Sequence, residues 1–316
     1  MPSIWVYLGV GVLLALVILR VAFPNQLAVV TIRLIRVACG MKARTIDVDG
    51  TSWPYLEGGN PSGEPMLLIH GFGADKDNWS LLARVLRRDF RLIAPDLPGF
   101  GDNDKTPGKD YRPRDQARYL AAFVDAMGLD RFHLAGNSMG GYIALEFALA
   151  FPGRLKSMAL LNNAGVSMPN KSDVFLAADR GDNVLVVNSV EEFAALLEKI
   201  AYKSLPFPRY VLNYLGDKAV TQRDFIDPIF WLMHDDIVNR PLDDRLHEIE
   251  VPTLIVWGSH DQILDVSSVD SMKDRLPNNE VVVFDDVGHV PMIECPKETA
   301  AAYRDFISRS FSSSFS

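Results

Sequence analysis

Short β-rich runs alternate with helical patterns along most of this chain. Two of the runs, residues 66–69 and 254–256, are continuously apolar, as are strands that a sheet buries on both faces. This alternation predicts an α/β fold in which a mostly parallel, eight-stranded sheet carries helices on both faces. The predicted strands are residues 45–48, 52–56, 66–70, 91–95, 132–135, 157–161, 253–257 and 281–284. The predicted helices span about residues 77–88, 114–127, 139–150, 266–275 and 296–309.

Composition excludes several other classes of protein. The chain has 316 residues and a mass of 35.2 kDa, which is enough for one large domain with an insertion. Hydrophobic residues make up 48% and charged residues 23%, as in globular proteins. Two cysteines are too few to hold a fold of this size together by disulfides. A net charge of −8 and a pI of about 5.3 argue against a nucleic-acid partner.

One segment, residues 166–246, interrupts the alternation with helical patterns, prolines and large apolar residues. We expect it to form a helical cap, or lid, over the carboxyl edge of the sheet. The core would then consist of two parts, residues 45–165 and 247–310, followed by a Ser-rich tail at 311–316. Most of the large aromatic residues of the segment should build its own core and a minority should line a pocket: Phe175, Phe193, Phe207, Tyr210, Tyr214, Phe225, Phe230 and Trp231.

The amino terminus is apolar and basic. Residues 2–19 carry no charge, and with Arg20 at the interface they approach the roughly 20 apolar residues that span a bilayer. Residues 1–46 hold five basic residues and no acidic one, whereas the rest holds 27 of the 32 basic residues and all 40 acidic ones. We therefore expect a single-pass anchor over residues 1–44. By the positive-inside bias, the body would face the cytoplasm.

Other interpretations of this terminus remain open. A cleaved signal peptide would place the domain in the periplasm or outside the cell, and a buried core helix is a third possibility. No basic residue precedes the apolar run and no small-x-small site follows it closely, which favours the retained anchor. The next segment, residues 27–38, either lies in the membrane interface as an amphipathic helix or packs on the domain.

A G-x-S-x-G motif stands between a predicted strand and a predicted helix. Residues 136–141 read GNSMGG and follow the run at 132–135 directly. A strand-to-helix turn this sharp holds the Ser138 hydroxyl at the edge of the sheet, as a nucleophile requires. The alternative is a tight glycine turn with an idle serine.

The loop His70-Gly71-Phe72-Gly73 follows another buried strand. Acyl transfer needs backbone N–H groups that already point at the developing oxyanion. We expect the N–H groups of Phe72 and Met139 to form this oxyanion hole, and His70 to orient the loop.

Asp261 and His289 each follow a predicted strand, and strand ends of an open α/β sheet gather at one edge. The chain order Ser, Asp, His is the order expected for a triad on such a sheet. His289 would take the proton of Ser138, and Asp261 would orient the imidazole. Asp265 is an alternative acid, and His260 should do no more than support the site.

The sequence predicts no metal and no cofactor. No His/Cys cluster has the spacing of metal ligands, and no G-x-G-x-x-G follows the first strand.

These residues resemble the α/β-hydrolase superfamily over about residues 45–310. More narrowly, the chain resembles the membrane-anchored monoacylglycerol lipases of the α/β-hydrolase-domain type and their bacterial lipase relatives. Four stretches carry the resemblance: HGFGADKDNW at 70–79, GNSMGG at 136–141, WGSHDQILDV at 257–266 and GHVPMIECP at 288–296. The resemblance implies an N-terminal anchor followed by a domain that faces the cytosol.

One feature, Asn137, points to another group of enzymes with this fold, whereas Val290 favours the lipases. Asn137 before the nucleophile is similarly found in carbon–carbon bond hydrolases of aromatic ring-cleavage pathways. Those enzymes usually have an aromatic residue after the catalytic histidine, where this chain has Val290. Dehalogenases and epoxide hydrolases of this fold use Asp at the elbow, so Ser138 argues against both.

The expected function is hydrolysis of acylglycerol esters, with a monoacylglycerol as substrate and the bilayer as the surface that supplies it. Ser138 would form an acyl-enzyme that water then hydrolyses. The alternatives are a carbon–carbon bond or small soluble ester hydrolase of the same fold, and an inactive scaffold.

Overall fold

The computed structural model describes residues 22–312 together with Trp5 and Tyr7. The apolar run that we expect to cross the membrane, residues 2–19, lies outside the described residues apart from those two aromatic positions. Across residues 22–312, every helix is either too short or too polar to traverse a bilayer.

All eight predicted runs form strands of one sheet. The strands are β1 (Met41–Val48), β2 (Thr51–Gly59), β3 (Glu64–Ile69), β4 (Phe90–Pro95), β5 (Phe132–Asn137), β6 (Leu155–Leu161), β7 (Thr253–Gly258) and β8 (Asn279–Phe284). Their spatial order is β1-β2-β4-β3-β5-β6-β7-β8. Strand β2 pairs antiparallel with β1 and with β4, and all other neighbours pair parallel, which confirms the predicted mostly parallel sheet.

Ten α-helices lie within the described residues, and they include the five that the sequence predicts. They are α1 (Pro24–Ala38), α2 (Ser80–Leu86), α3 (Pro113–Ala126), α4 (Met139–Ala150), α5 (Asp173–Asp179), α6 (Val190–Ile200), α7 (Arg209–Asn239), α8 (Ser268–Lys273), α9 (Pro291–Glu294) and α10 (Pro296–Ser312). The predicted helix at 77–88 begins as a 3-10 turn, Lys76–Trp79, and continues as α2.

The central strands are buried on both faces because successive side chains alternate between two apolar layers. In β3, Leu67 belongs to the core that packs under α3 and α4, whereas Leu68 belongs to the core under α2 and α10. Both side chains are fully buried. The result is a three-layer arrangement with the sheet in the middle, as the continuous apolar runs predict.

Helices α5, α6 and α7 fill the connection between β6 and β7, and no strand occurs in residues 166–246, all of which are described. We call this segment the cap and keep its boundaries as a prediction from the sequence. Helix α7 is long and contains Pro228.

Helix α1 packs against α7, where the hydroxyl groups of Thr31 and Tyr210 form a 2.9 Å hydrogen bond. Arg36 forms a two-pronged ion pair of 2.6 Å with Asp77. The other side of α1 is exposed, and there Leu34 and Val37 leave 63% and 72% of their surface open.

Candidate active site

Ser138 occupies a sharp turn between β5 and α4. Its backbone lies in the left-handed region, with φ 56° and ψ −120°, which side-chain-bearing residues rarely adopt. The turn is possible because Gly136 has no side chain: a Cβ there would lie 2.2 Å from the carbonyl oxygen of Gly140. The G-x-S-x-G motif therefore folds as expected and holds Ser138 at the carboxyl edge of the sheet.

His289 and Asp261 meet at the same edge. His289 Nδ1 lies 2.8 Å from Asp261 Oδ2, and both residues are buried. Because a carboxylate only accepts hydrogen bonds, Nδ1 carries the proton and Nε2 is left as the basic nitrogen. Nε2 makes no hydrogen bond with the described chain.

Asp261 is held by further donors that the sequence analysis missed. Its Oδ1 accepts from the N–H groups of Ile263 and Leu264 at 2.8 and 3.0 Å. The side-chain amide of Asn162 donates to Oδ2 at 2.7 Å. Four donors thus stabilise the charged carboxylate and fix its orientation. Asn162 directly follows the last residue of β6, so the rule that strand ends gather at one edge could have identified it.

The loop that carries His289 is tied to its surroundings at several points. The His289 N–H donates to the carbonyl of Ile200 in the cap at 2.7 Å, and the Asn137 amide donates to the carbonyl of His289 at 3.0 Å. Glu294 accepts from the N–H of Gly288 at 2.9 Å and from the N–H of Tyr202 at 2.8 Å. Glu294 therefore joins the histidine loop to the cap, a role that the sequence analysis did not anticipate.

One predicted oxyanion donor, Met139, directly follows Ser138, and the other, Phe72, belongs to a loop that touches Ser138. The His70–Gly73 loop passes so close that a Cβ on Gly71 would lie 3.1 Å from Ser138 Cβ. Within the described residues, the N–H groups of Phe72 and Met139 have no hydrogen-bond acceptor, so both can donate to a ligand.

His70 is fully buried and ties the His70–Gly73 loop to the chain at Leu97. Its Nε2 accepts from the Leu97 N–H at 3.0 Å, and its Nδ1 donates to the Gly71 carbonyl at 2.8 Å. Desolvation lowers the pKa of His70 below its ordinary value, so the imidazole stays neutral at physiological pH.

An ion-pair cluster supports the other side of this loop. The Lys76 ammonium, which is 3% exposed, lies 2.5 Å from Asp96 and 2.7 Å from Asp102. Burial alone would lower the pKa of Lys76, but the Asp96 and Asp75 carboxylates outweigh it and raise that pKa. Burial likewise opposes ionisation of Asp102, yet the hydrogen bond from Lys76 lowers its pKa to about 2.

Ser138, His289 and Phe72 line one cavity of about 230 Å³ between the sheet edge and the cap. Its wall is mostly apolar, and most of the apolar side chains come from α6, α7 and the connection between them. Helix α1 adds Ile32 and Ile35. Of the aromatic residues in the cap, Phe193 and Phe207 face this cavity, in agreement with the expectation that a minority do so.

The other candidate residues lie apart from this pair. Asp265 Oδ1 accepts from the N–H of Ser267 at 2.9 Å and makes no contact with His289. His260 bonds Ser259 and stacks on Tyr202 at 4.1 Å between ring centroids. No group of three His, Cys, Asp or Glu side chains in the described part of the chain is placed to hold a metal ion.

Chemically, the arrangement has the parts needed for acyl transfer: a hydroxyl on a strained turn, an oriented imidazole and two open N–H donors. Among the described residues the Ser138 hydroxyl makes no hydrogen bond, so it can rotate toward Nε2 without losing a contact. Such serine–histidine contacts often tighten only when substrate is bound.

Several known proteins are similar to this chain in sequence and in fold. Residues 64–296 match the family described as alpha/beta hydrolase fold. Lipase 1 of Psychrobacter immobilis is 35% identical over 292 residues, 90% of each chain. Monoacylglycerol lipase ABHD6 of Homo sapiens is 29% identical over 278 residues, which are 85% of this chain and 82% of that one.

A solved structure covers nearly the whole chain. The crystal structure of a membrane phospholipase A, described as a bacterial virulence factor, superposes with a TM-score of 0.88 and 40% identity over 97% of this chain and 99% of its own. The predicted resemblance to monoacylglycerol lipases and bacterial lipases is thus confirmed. The chain belongs to the α/β-hydrolase fold family.

Proposed function

We propose that this protein is a serine esterase of the lipase type that cleaves carboxylic esters of acylglycerols, with a monoacylglycerol as its preferred substrate. The observation that carries this proposal is the apolar cavity that Ser138 and His289 both line, with His289 hydrogen-bonded to Asp261 behind it. The similarity to named lipases and monoacylglycerol lipases supports it.

Ser138 Oγ attacks the ester carbonyl while His289 Nε2 takes its proton. The N–H groups of Phe72 and Met139 hold the oxyanion that forms on the carbonyl oxygen. The imidazolium, stabilised by Asp261, gives the proton to the departing alcohol, and an acyl-enzyme remains. Water then attacks this ester with His289 again as base, which releases the fatty acid and restores Ser138.

The cavity wall suits an acyl chain because burial of each CH₂ group contributes about 0.8 kcal/mol. Leu196, Leu212 and Leu215 of the cap are part of that wall. A water-soluble acid would leave this apolar surface unused, whereas a medium or long acyl chain would cover it.

Membrane association forms part of the proposal. The uncharged run at residues 2–19 precedes α1 in the chain, and the exposed face of α1 presents Val30, Leu34 and Val37. A protein whose substrate concentrates in the bilayer gains from contact with it. Deletion of residues 1–23 should abolish flotation with phospholipid vesicles and spare hydrolysis of a soluble short-chain ester. Loss of that soluble activity in a folded truncated protein would show that the segment is more than an anchor.

The test is initial-rate hydrolysis of monoacylglycerols from short to long acyl chain, in detergent, with Ser138→Ala as control. We expect rates that peak at medium or long chains and vanish in the variant. Activity restricted to short or water-soluble esters would contradict the proposal and support the alternative of a soluble-ester or carbon–carbon bond hydrolase.

Phospholipid esters are a second candidate substrate class. The similarity to a membrane phospholipase A favours them. Such a substrate has the same ester and acyl chain but an anionic or zwitterionic headgroup, so the polar residues of the cavity decide between the two.

A further inference from the structure

Three of the polar residues that line the cavity belong to α7 and to the loop opposite it. Helix α7 faces the cavity with seven residues, of which five are apolar and two, Lys218 and Gln222, are polar. Across from them, Asp75 lines the same cavity and lies 3.5 Å from the Lys218 ammonium. We call Asp75, Lys218 and Gln222 the polar end.

The polar end lies near the reacting centre. Asp75 is three residues beyond Phe72, and a chain of three residues spans at most about 11 Å. A hydrogen bond from the Ala74 N–H to the Gly71 carbonyl, at 3.3 Å, turns the loop back and shortens this distance. Groups at the polar end are therefore within reach of the alcohol half of an ester whose carbonyl sits at the Phe72 N–H.

Two of these side chains have hydrogen-bonding capacity to spare. The half-buried Gln222 lines the cavity and its amide makes no hydrogen bond with the described part of the chain. Its carbonyl oxygen and its NH₂ group are therefore both available to a ligand. Lys218 has three N–H donors and only two long contacts, 3.5 Å to Asp75 and 3.4 Å to Asp102.

The charges favour a neutral ligand. Lys218 is the one Lys or Arg among the described cavity-lining residues, and two carboxylates already balance it. Burial would raise the pKa of Asp75, but Lys218 and Lys76 outweigh it and lower that pKa, so Asp75 stays an anion. A phosphate would meet this carboxylate at close range, whereas a hydroxyl can donate to Asp75 and accept from Lys218 or Gln222.

We propose that the polar end binds the hydroxyl groups of a neutral polyol, the glycerol of an acylglycerol, as the alcohol half of the ester. This inference rests on the proposed esterase function and specifies which alcohol half of the ester the enzyme prefers. It predicts that the enzyme distinguishes esters of one acid by their alcohol, with glycerol preferred over a simple alkanol and over a phosphate-bearing glycerol.

The experiment uses the full-length protein in detergent and three esters of decanoic acid: 1-monodecanoylglycerol, ethyl decanoate and 1-decanoyl lysophosphatidylglycerol. The readout is the ratio of kcat/KM values between esters, which cancels effects on the shared acyl half. We expect the glycerol ester to exceed each of the other two by about 10-fold, the factor that corresponds to one net hydrogen bond.

Two variants and one control locate the preference. Gln222→Leu and Lys218→Met should each lower the ratio of glycerol ester to ethyl ester by about three- to ten-fold. Lys199→Met, a change of an exposed cap lysine that does not line the cavity, should keep the wild-type ratio. Because Gln222 has no protein partner, its variant tests the proposal even if Lys218→Met fails to fold.

The outcomes separate this proposal from the function on which it rests. Equal kcat/KM for the glycerol and ethyl esters, or a ratio unmoved by Gln222→Leu, overturns the polar end as a glycerol site while the esterase stands. A preference for the lysophospholipid overturns its selectivity for neutral headgroups. No hydrolysis of any of the three esters overturns the proposed function itself.

Discussion

The carboxyl edge of the sheet, where Ser138 and His289 lie, and the cap face each other across one cavity and differ in how their residues are held. At the sheet edge, individual polar atoms have individual partners: Asp261 accepts four hydrogen bonds, and His70 is bonded through both ring nitrogens. The cavity wall of the cap is mostly aliphatic, with few directed contacts. Chemistry requires atoms at set positions, whereas an acyl chain requires only apolar area.

The largest effect should come from the sheet edge. Ser138→Ala and His289→Ala should each lower kcat on a monoacylglycerol by about 10⁴- to 10⁶-fold, because the proposed triad of Ser138, His289 and Asp261 would act as a unit. Both variants should melt cooperatively near the wild-type temperature. A purified, folded variant that retains more than about a tenth of the wild-type kcat would remove that residue from the mechanism.

A second substitution removes the Lys76 ammonium from the ion-pair cluster next to the predicted oxyanion loop. Lys76→Met removes the partner of the buried Asp96 carboxylate and should lower the free energy of unfolding by about 3–5 kcal/mol. Chemical denaturation measures this loss, and Lys297→Met, at an exposed position, is the matched control. A loss below about 1 kcal/mol would mean that water or a rearranged side chain replaces the lysine.

A third change loosens the link between the two regions. Glu294→Gln should replace an acceptor with an N–H donor opposite the N–H groups of Gly288 or Tyr202. We expect a fall in kcat of about 10- to 100-fold with little change in KM, since a small misplacement of His289 is costly. The exposed Glu298→Gln is the control, and an equal fall in both variants would deny Glu294 its positioning role.

The smallest effect should come from the cap. Phe193→Ala enlarges the acyl side of the cavity and should shift the preferred acyl chain upward by a few carbons, with kcat on the best substrate changed less than about three-fold. A chain-length series measures the shift, with Leu176→Ala on the cap surface as control. A collapse of activity on every chain length would mean that the cap, too, holds atoms at set positions.

The sheet edge could be predicted from the sequence in more detail than the cap. The strands, the elbow and the positions of Asp261 and His289 were predictable because each depends on a local pattern, a buried run and the residue that follows it. Asn162 obeys the same rule and could have been found. Glu294 was within a quoted motif, but two of its three partners, Tyr202 and Lys203, are in the cap and lie about 90 residues away in sequence.

The cavity-facing residues of the cap could not be predicted from the sequence, for a physical reason. Its helices are rich in large apolar residues on more than one side, so periodicity alone does not show which face meets the cavity. Gln222 illustrates this, because only the packing of α7 shows that this residue lines the cavity. The amino-terminal run at residues 2–19 lies outside the described residues, and its role as an anchor stays a prediction.

The proposed mechanism depends most directly on Ser138 as a nucleophile activated by His289. Incubation of the full-length protein with a fluorophosphonate probe, followed by peptide mass mapping, tests this in one experiment. We predict a single adduct on Ser138, with labelling at least 100-fold slower in His289→Ala and absent in Ser138→Ala. An adduct on another residue, or equal labelling of the wild type and Ser138→Ala, would contradict the account.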